Sequence, residues 1–529
     1  MPRTLFRNAR FFTADDVAWA DAVVVDGESF VFVGAEDDAP PADEIIDLDG
    51  RTVLPGFTDA HTHLLMMGEA LGQVGLTDAG SLEEIQSRLS RARQSADGEL
   101  RGRGWLFDAI PGGAPTSAMI DAVVSDIPVY LDANDYHSCW VNSAALIALG
   151  ITRETPDPIG GRIERDADGD ATGMLYETAA QQHAWAHRDA VTTDAQRDAA
   201  VERVIEAYLA SGVTGAVDMA FDGLALDALG RAAERGGLPL RIAAHWFVAN
   251  TGDDEANLAQ VAEATALAGA EATGASVIGI KVVLDGTIDA CTAAMRAPYA
   301  DGTNAAPIWP AERLLPVVAA ADAAGLQVAM HAIGDEASTL ALDAIEHAIA
   351  VNGDRPRRHR IEHLEYAAPG TAERMARLGV TASMQPVHAD PAIFANWAAQ
   401  LGDDRADRAF AWPEYEDAGA LLAFSTDAPT APHEALANMY VAATRASALD
   451  PDVAAAHPQF ALPLDRAIAH ATRDAAASIG DGAWRGRIAV GQAADFAVLD
   501  TDPFTAGSGA LLTARVVRTV IAGRTEYEA

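Results

Sequence analysis

Lysine is almost missing from this sequence. Of its 37 basic residues one is a lysine, Lys281, and all the others are arginine. Arginine serves surface ion pairs as well as lysine does, whereas only an amine can lose its proton, act as a nucleophile or be carbamylated. Position 281 either needs that amine or carries a leftover lysine on a solvated face; composition weighs the two evenly, and the neighbouring residues must decide. Cysteine is nearly as scarce. Cys139 and Cys291 are the only two and lie far apart, which argues for neither a disulfide framework nor a thiolate metal site. Although 50% of the residues are hydrophobic, no uninterrupted apolar run approaches the roughly 20 residues of a membrane-spanning helix. Positive charge is short as well: 77 acidic residues face 37 basic ones, a formal net charge of −40 that repels phosphates. No nucleic-acid and no membrane partner is therefore expected. Gly-rich phosphate loops are absent, so no nucleotide cofactor is expected either. Residues 1–35 show no basic start, apolar block and small-residue cleavage site, which makes a cytoplasmic location the expectation.

A chain of 529 residues can hold one large domain with additions, or two or three smaller ones. Residues 1–52 alternate apolar and polar in short runs broken by Gly and Asp, the texture of small half-buried strands. The same texture returns from Gly486, so the two ends, 1–52 and 484–529, are expected to pair into one small β-sandwich. Between them, over 53–483, short apolar runs alternate with Ala-rich helical stretches, which points to βα units and a parallel sheet. Runs at 53–59, 212–217, 240–244, 277–283, 326–331, 358–363, 380–384 and 421–425 supply eight strands. Eight strands with intervening helices imply an α/β fold of the (β/α)8 TIM-barrel type, in which catalytic groups gather at the carboxyl ends of the strands. A ninth run, 127–131, is assigned to an insertion of roughly 75–200, because the gap between the first two barrel strands is too long for one helix.

Asp59-Ala60-His61-Thr62-His63 follows an apolar strand and the Pro55-Gly56 break. Residues two apart on an extended segment face one side, so both imidazoles can meet one metal ion. A His-x-His pair alone is a weak signal. Four further strands, however, each stop on a polar residue: Lys281, His331, His363 and Asp427. Any one of them could be satisfied by backbone or water, but four together are better explained by a shared centre than by coincidence. Four neutral imidazoles, one carboxylate and an anionic carbamate on Lys281 would hold two divalent metal ions with a bridging hydroxide between them. Such a pair supplies a nucleophile and polarises a substrate carbonyl at neutral pH. Asp427 is then the candidate catalytic base and acid, taking a proton from attacking water and passing it to the leaving nitrogen. Weaker candidates for substrate contact are Asp285, which otherwise shapes a turn with Gly286, His388, which otherwise is a surface histidine, and His137. His137 and Trp140, both in the insertion, could close over the barrel mouth as a lid, with core packing the plainer role for Trp140. The run Arg355-Pro356-Arg357-Arg358 reads as a solvated helix-to-strand connection.

The set His61, His63, Lys281, His331, His363 and Asp427 resembles the amidohydrolase superfamily in its binuclear form with a carbamylated lysine. The resemblance is strongest to the subgroup that includes N-substituted formamide deformylases. It is carried by Leu54-Pro55-Gly56-Phe57-Thr58-Asp59-Ala60-His61-Thr62-His63, Trp140-Val141-Asn142-Ser143-Ala144-Ala145-Leu146, Thr155-Pro156-Asp157-Pro158-Ile159-Gly160-Gly161, residues 281–286, His331-Ala332-Ile333-Gly334-Asp335 and residues 486–495. These pieces span nearly the whole chain. The resemblance implies a barrel with a composite β-sandwich, zinc or a similar divalent ion, and hydrolysis of an N-acyl, N-formyl or cyclic amide. A small-molecule amide is the expected partner, and the sequence leaves room for a homodimer. Ring deamination is the second reading, disfavoured because mononuclear deaminases typically lack the lysine ligand. A noncatalytic scaffold is the third, and it would show lost ligands, of which there are none. Two positions depart from the pattern: Glu365 stands where glutamine is expected, and Thr426 where glycine-serine is more usual. Neither is a ligand, so they bear on substrate specificity more than on the reaction.

Overall fold

Eight short segments rich in Val, Ala and Ile form the parallel strands β1 (Phe57–Thr62), β2 (Val213–Phe221), β3 (Arg241–Phe247), β4 (Ser276–Val283), β5 (Gln327–Ala332), β6 (Arg360–His363), β7 (Thr381–Met384) and β8 (Leu422–Phe424). Neighbours pair in sequence order from β1 to β8. The computed structural model describes residues 2–96, 98–134, 136–268, 274–393, 396–402 and 404–529. Past the strand ends, Asp427 N–H donates to the His61 carbonyl (2.8 Å) and His63 N–H to the Ala428 carbonyl (2.9 Å), so backbone hydrogen bonds join β1 to β8 at the rim. This nearly closed parallel sheet fits a TIM barrel. Among the described residues no helix is long and apolar enough to cross a membrane.

The first barrel strand begins at Phe57, later than the expected 53. Val53, Leu54 and Pro55 instead finish a long strand, Glu44–Pro55, that lies antiparallel to Phe496–Leu499 with Val53 opposite Val498. One apolar run thus serves two cores, and the Pro55-Gly56 break divides it. The chain ends form a single eight-stranded sheet in the order Arg524–Glu528, Val516–Ile521, Phe496–Leu499, Glu44–Pro55, Thr4–Phe12, Ala22–Asp26, Ser29–Gly34, with Trp19–Ala20 on the side of Thr4–Phe12. Phe30, at the far edge of that order, has its ring centroid 6.1 Å from that of Phe496, and Phe30 N–H donates to the Gln492 carbonyl (2.9 Å). Phe6 meets Phe496 edge-on at 5.1 Å. Three phenylalanines buried on one face, each contributing about 1.5–3 kcal/mol, make this sheet's own core.

The chain divides into two units, Met1–Leu64 with Val201–Ala428 and Pro432–Ala529, and Leu65–Ala200 with Pro429–Ala431. The second unit contains a six-stranded mixed sheet that includes the ninth sequence run as Val129–Ala133. Trp140 is fully buried there, 5.5 Å from Trp105 between ring centroids, and its indole N–H donates to the Thr116 carbonyl.

The arginine run at 355–358 is the helix-to-strand connection its charge implied, with Pro356 and Arg358 exposed, but it is not solvated throughout. Asp322, buried in the helix Ala311–Ala323, draws Arg357 to 2.8 Å, Arg355 to 3.0 Å and His359 to 3.0 Å, and the Arg357 side chain is 6% exposed. His359 Nδ1 in turn accepts from Val328 N–H (3.1 Å), which pins the entries of β5 and β6 together. A single carboxylate, invisible in the local pattern, gathers two arginines and a histidine.

Inside the barrel, close approach dictates Gly279. A Cβ there would stand 2.1 Å from the Gln327 carbonyl oxygen and 2.7 Å from Cδ2 of the buried His245. Backbone cannot yield as a side chain does. Gly279→Ala is expected to lower unfolding stability by roughly 1–3 kcal/mol, read from the denaturant midpoint at unchanged m-value.

Candidate metal centre

Because all eight strands run parallel, their carboxyl ends share one rim, and the candidate ligands stand on it. His61 lies near the end of β1 and His63 just beyond; Lys281 is in β4, His331 in β5 and His363 ends β6, while Asp427 follows β8. Two of these positions need an unusual backbone. His363 (φ 76°) and Asp427 (φ 60°) are left-handed, a conformation that costs a non-glycine residue about 1–3 kcal/mol and persists only where its surroundings impose it. At His363 the effect is visible: strict alternation would place it with Ile361, opposite Arg360 and Glu362.

The groups meet closely. His61 Nε2 is 3.2 Å from Lys281 Nζ and 3.2 Å from Asp427 Oδ1, and His63 Nε2 is 2.9 Å from the same Oδ1. Ring centroids lie 4.9 Å apart for His61 and His363 and 4.4 Å apart for His331 and His363. Two sets of donor atoms could each hold a metal ion, His61 with His63 and Asp427, and His363 with His388 and Asp427. The residues fit such a group on a further count: Nδ1 of His63 is buried with no hydrogen-bond partner, a costly state for a polar nitrogen.

Burial sets the protonation of the centre. It lowers the Lys281 amine to about 8, against the pull of Glu362 and Asp427. The Asp427 carboxyl is pushed up by burial, but the charge of His61 and the hydrogen bonds from His61 and His63 prevail and hold it well below the usual carboxylate range. Burial, reinforced by His331, keeps His363 neutral far below the ordinary imidazole value. The site therefore presents imidazole nitrogens and an ionised carboxylate, a donor set that suits a divalent metal ion.

The weaker candidates are placed differently. His388 stands at this rim, its Nε2 3.7 Å from Asp427 Oδ2, its ring stacked 5.9 Å from His363 and its Nδ1 3.0 Å from Glu365. Asp285 accepts at Oδ2 from Ala294 and Gly334 N–H and at Oδ1 from Ile333 N–H, so it holds backbone together beside His331. His137 belongs to the second unit, where its Nδ1 lies 2.6 Å from Glu177 Oε2.

Sequence reasoning passed over the residues that carry the ligands. Asp59 accepts from Thr426 N–H (3.0 Å), the Thr426 hydroxyl (2.5 Å) and the Tyr208 hydroxyl (2.9 Å), so the threonine at 426 ties the exit of β8 to β1. Gln385 lies 2.9 Å from His363 Nδ1, and Glu362 lies 2.8 Å from His61 Nδ1. Glu362 shows in the sequence as a charged residue in an expected strand, but nothing local names His61 as its partner. Asp59 and Tyr208 lie 149 residues apart, beyond the reach of any local pattern.

A model of the amidohydrolase family matches residues 44–527. The putative amidohydrolase YtcJ of Bacillus subtilis is 33% identical over 92% of this chain and 91% of its own length. The N-substituted formamide deformylase of Arthrobacter pascens is 29% identical over 96% of this chain and 95% of its own. Among solved structures, an uncharacterized metal-dependent hydrolase from Pyrococcus horikoshii superposes with a TM-score of 0.75 at 25% identity, covering 96% of this chain and 99% of that one. With its parallel barrel and its rim of imidazoles, this chain belongs to the amidohydrolase family and is a hydrolase of carbon–nitrogen bonds.

Proposed function

We propose that this enzyme hydrolyses an N-acyl, N-formyl or cyclic amide of a small molecule at a binuclear zinc centre held by His61, His63, Lys281, His331, His363 and Asp427. The observation that carries the reading is the meeting of the lone lysine with His61 and Asp427, each 3.2 Å from the same imidazole nitrogen. A buried amine lowered to about 8 has a substantial neutral fraction near neutral pH. It can add to carbon dioxide, forming an N–C bond and releasing one proton, and the resulting carbamate supplies two anionic oxygens. Two divalent ions bound there would acidify water and polarise the amide carbonyl.

The remaining chemistry belongs to the chain. Asp427, ionised and directed by His61 and His63, accepts the proton of the attacking water and delivers it to the leaving nitrogen as the carbon–nitrogen bond breaks. To His388, which lies between Glu365 and Asp427, we assign contact with the substrate. That the Arthrobacter pascens relative is an N-substituted formamide deformylase supports a small acyl group among these amide classes. We read the terminal sheet, whose edge strand returns to Phe496, as a β-sandwich.

Gently purified protein is expected to carry about two equivalents of zinc by elemental analysis; one equivalent would favour a ring deaminase. Lys281→Ala is expected to abolish turnover and deplete metal, and Lys281→Arg to do no better, because a guanidinium cannot form the carbamate. An arginine variant with parental activity would refute the assignment. Asp427→Asn is expected to keep metal at one or both positions and to lose about 10²–10⁴ in kcat, measured with a panel of formamides, N-acyl amino acids and cyclic imides.

A further inference from the structure

A charged pair lies in the barrel interior that no step of the proposed reaction uses. Arg360 and Glu362, two apart on β6, are both fully buried. Arg360 grips Glu362 through Nε to Oε1 (2.6 Å) and Nη2 to Oε2 (3.0 Å). Its Nη2 also donates to the Ala60 carbonyl (2.7 Å), on the residue before His61, and to Ser383 Oγ on β7 (2.7 Å). One guanidinium therefore links β1, β6 and β7. Glu362 Oε2 then takes the Nδ1 side of His61 at 2.8 Å. Burying two ions costs several kcal/mol each, and well-packed apolar residues in their place are often no less stable. The pair calls for a role beyond holding the barrel together.

We propose that Glu362, fixed by Arg360, is a positioning residue that sets the tautomer of His61 for metal ligation. An ionised carboxylate only accepts hydrogen bonds, so the ring must carry its proton on Nδ1. Nε2, the atom that faces Lys281 and Asp427, is then the nitrogen that gives up any proton to bind a cation. Arg360 adds two constraints. Its fork holds the carboxylate in one orientation, and its bond to the Ala60 carbonyl holds the backbone on which the imidazole is mounted. The arrangement secures at the protein's expense what a free imidazole would otherwise lose on binding a cation, namely the choice between two tautomers and the freedom of ring rotation. The ligation half of this inference rests on the metal reading above, whereas the tautomer half stands on the hydrogen bond alone.

The test separates the two. In the metal-free parent labelled with 15N-histidine, the signals assigned to His61 by their loss in His61→Asn are expected to report a proton on Nδ1. An Nδ1 without a proton would overturn the proposal without recourse to any Glu362 variant. Two charge-neutral double variants then ask what the carboxylate does. Arg360→Met/Glu362→Leu keeps bulk and removes the acceptor, and its zinc dissociation constant, measured by competition with a chelator, should rise about 10–100-fold. Arg360→Met/Glu362→Gln keeps one carbonyl acceptor and should recover most of that loss. Equal weakening of both, or parental affinity in the leucine variant, would show that the pair serves packing alone. A parent chain that binds no zinc would remove the binuclear reading of the reaction, and the tautomer measurement, made without metal, would still decide the role of Glu362.

Discussion

The barrel closes at its rim through backbone hydrogen bonds between the residues that follow β8 and the end of β1, Asp427 N–H to the His61 carbonyl and His63 N–H to the Ala428 carbonyl. The candidate centre depends on that closure. It brings the Asp427 carboxylate within 3.2 Å of both leading imidazoles. The left-handed backbone at Asp427 is tolerated because Thr426, immediately before it, is tied to Asp59 by both its amide and its hydroxyl. Local strain at the reacting end is thus balanced by hydrogen bonds one residue away.

Behind the ligands the barrel interior is polar where an aliphatic core would be the simpler choice. His245, Gln327, Arg360, Glu362, Ser383 and Ser478 are buried together, and Gln327 bonds both to His245 and to the Ser478 carbonyl. Each charge in this layer has a partner of opposite sign or a fan of acceptors. Low local dielectric makes such a layer rigid when it is satisfied. It also depresses the Lys281 amine, since burial is the main influence on that group. The polar floor and the reactive rim are one electrostatic system: the same Glu362 that balances Arg360 also faces His61.

Much of the fold was legible, for identifiable reasons. Seven of the eight barrel strands lie where the expected runs place them, most because a strand buried on both faces is largely apolar, whereas β6, Arg360-Ile361-Glu362-His363, is buried with three polar side chains that pair with neighbouring strands. The first was misjudged at its start since Val53 and Leu54 are equally apolar in a different core. Candidate ligands were visible as polar residues at the ends of such runs, where a hydrophobic strand has no packing reason to carry an imidazole or an amine. Composition alone weighed the lone Lys281 evenly between a required amine and a leftover residue, and its place in an apolar run tipped the balance; in the structure its Nζ is 3.2 Å from His61 Nε2. The supporting shell was not legible. Asp59, Tyr208, Glu362 and Asp322 act on partners that the chain brings close only by folding, and a buried carboxylate has no local signature of the cation it will meet.

By itself the sequence determined the alternation of strand and helix that makes these strands parallel, and the identity of each donor on them, since both follow from side-chain chemistry along the chain. Only the tertiary structure decided which nitrogen faces which neighbour. That choice depends on left-handed turns at His363 and Asp427 and on hydrogen bonds between residues hundreds of positions apart, and such contacts have no energy until the barrel has closed.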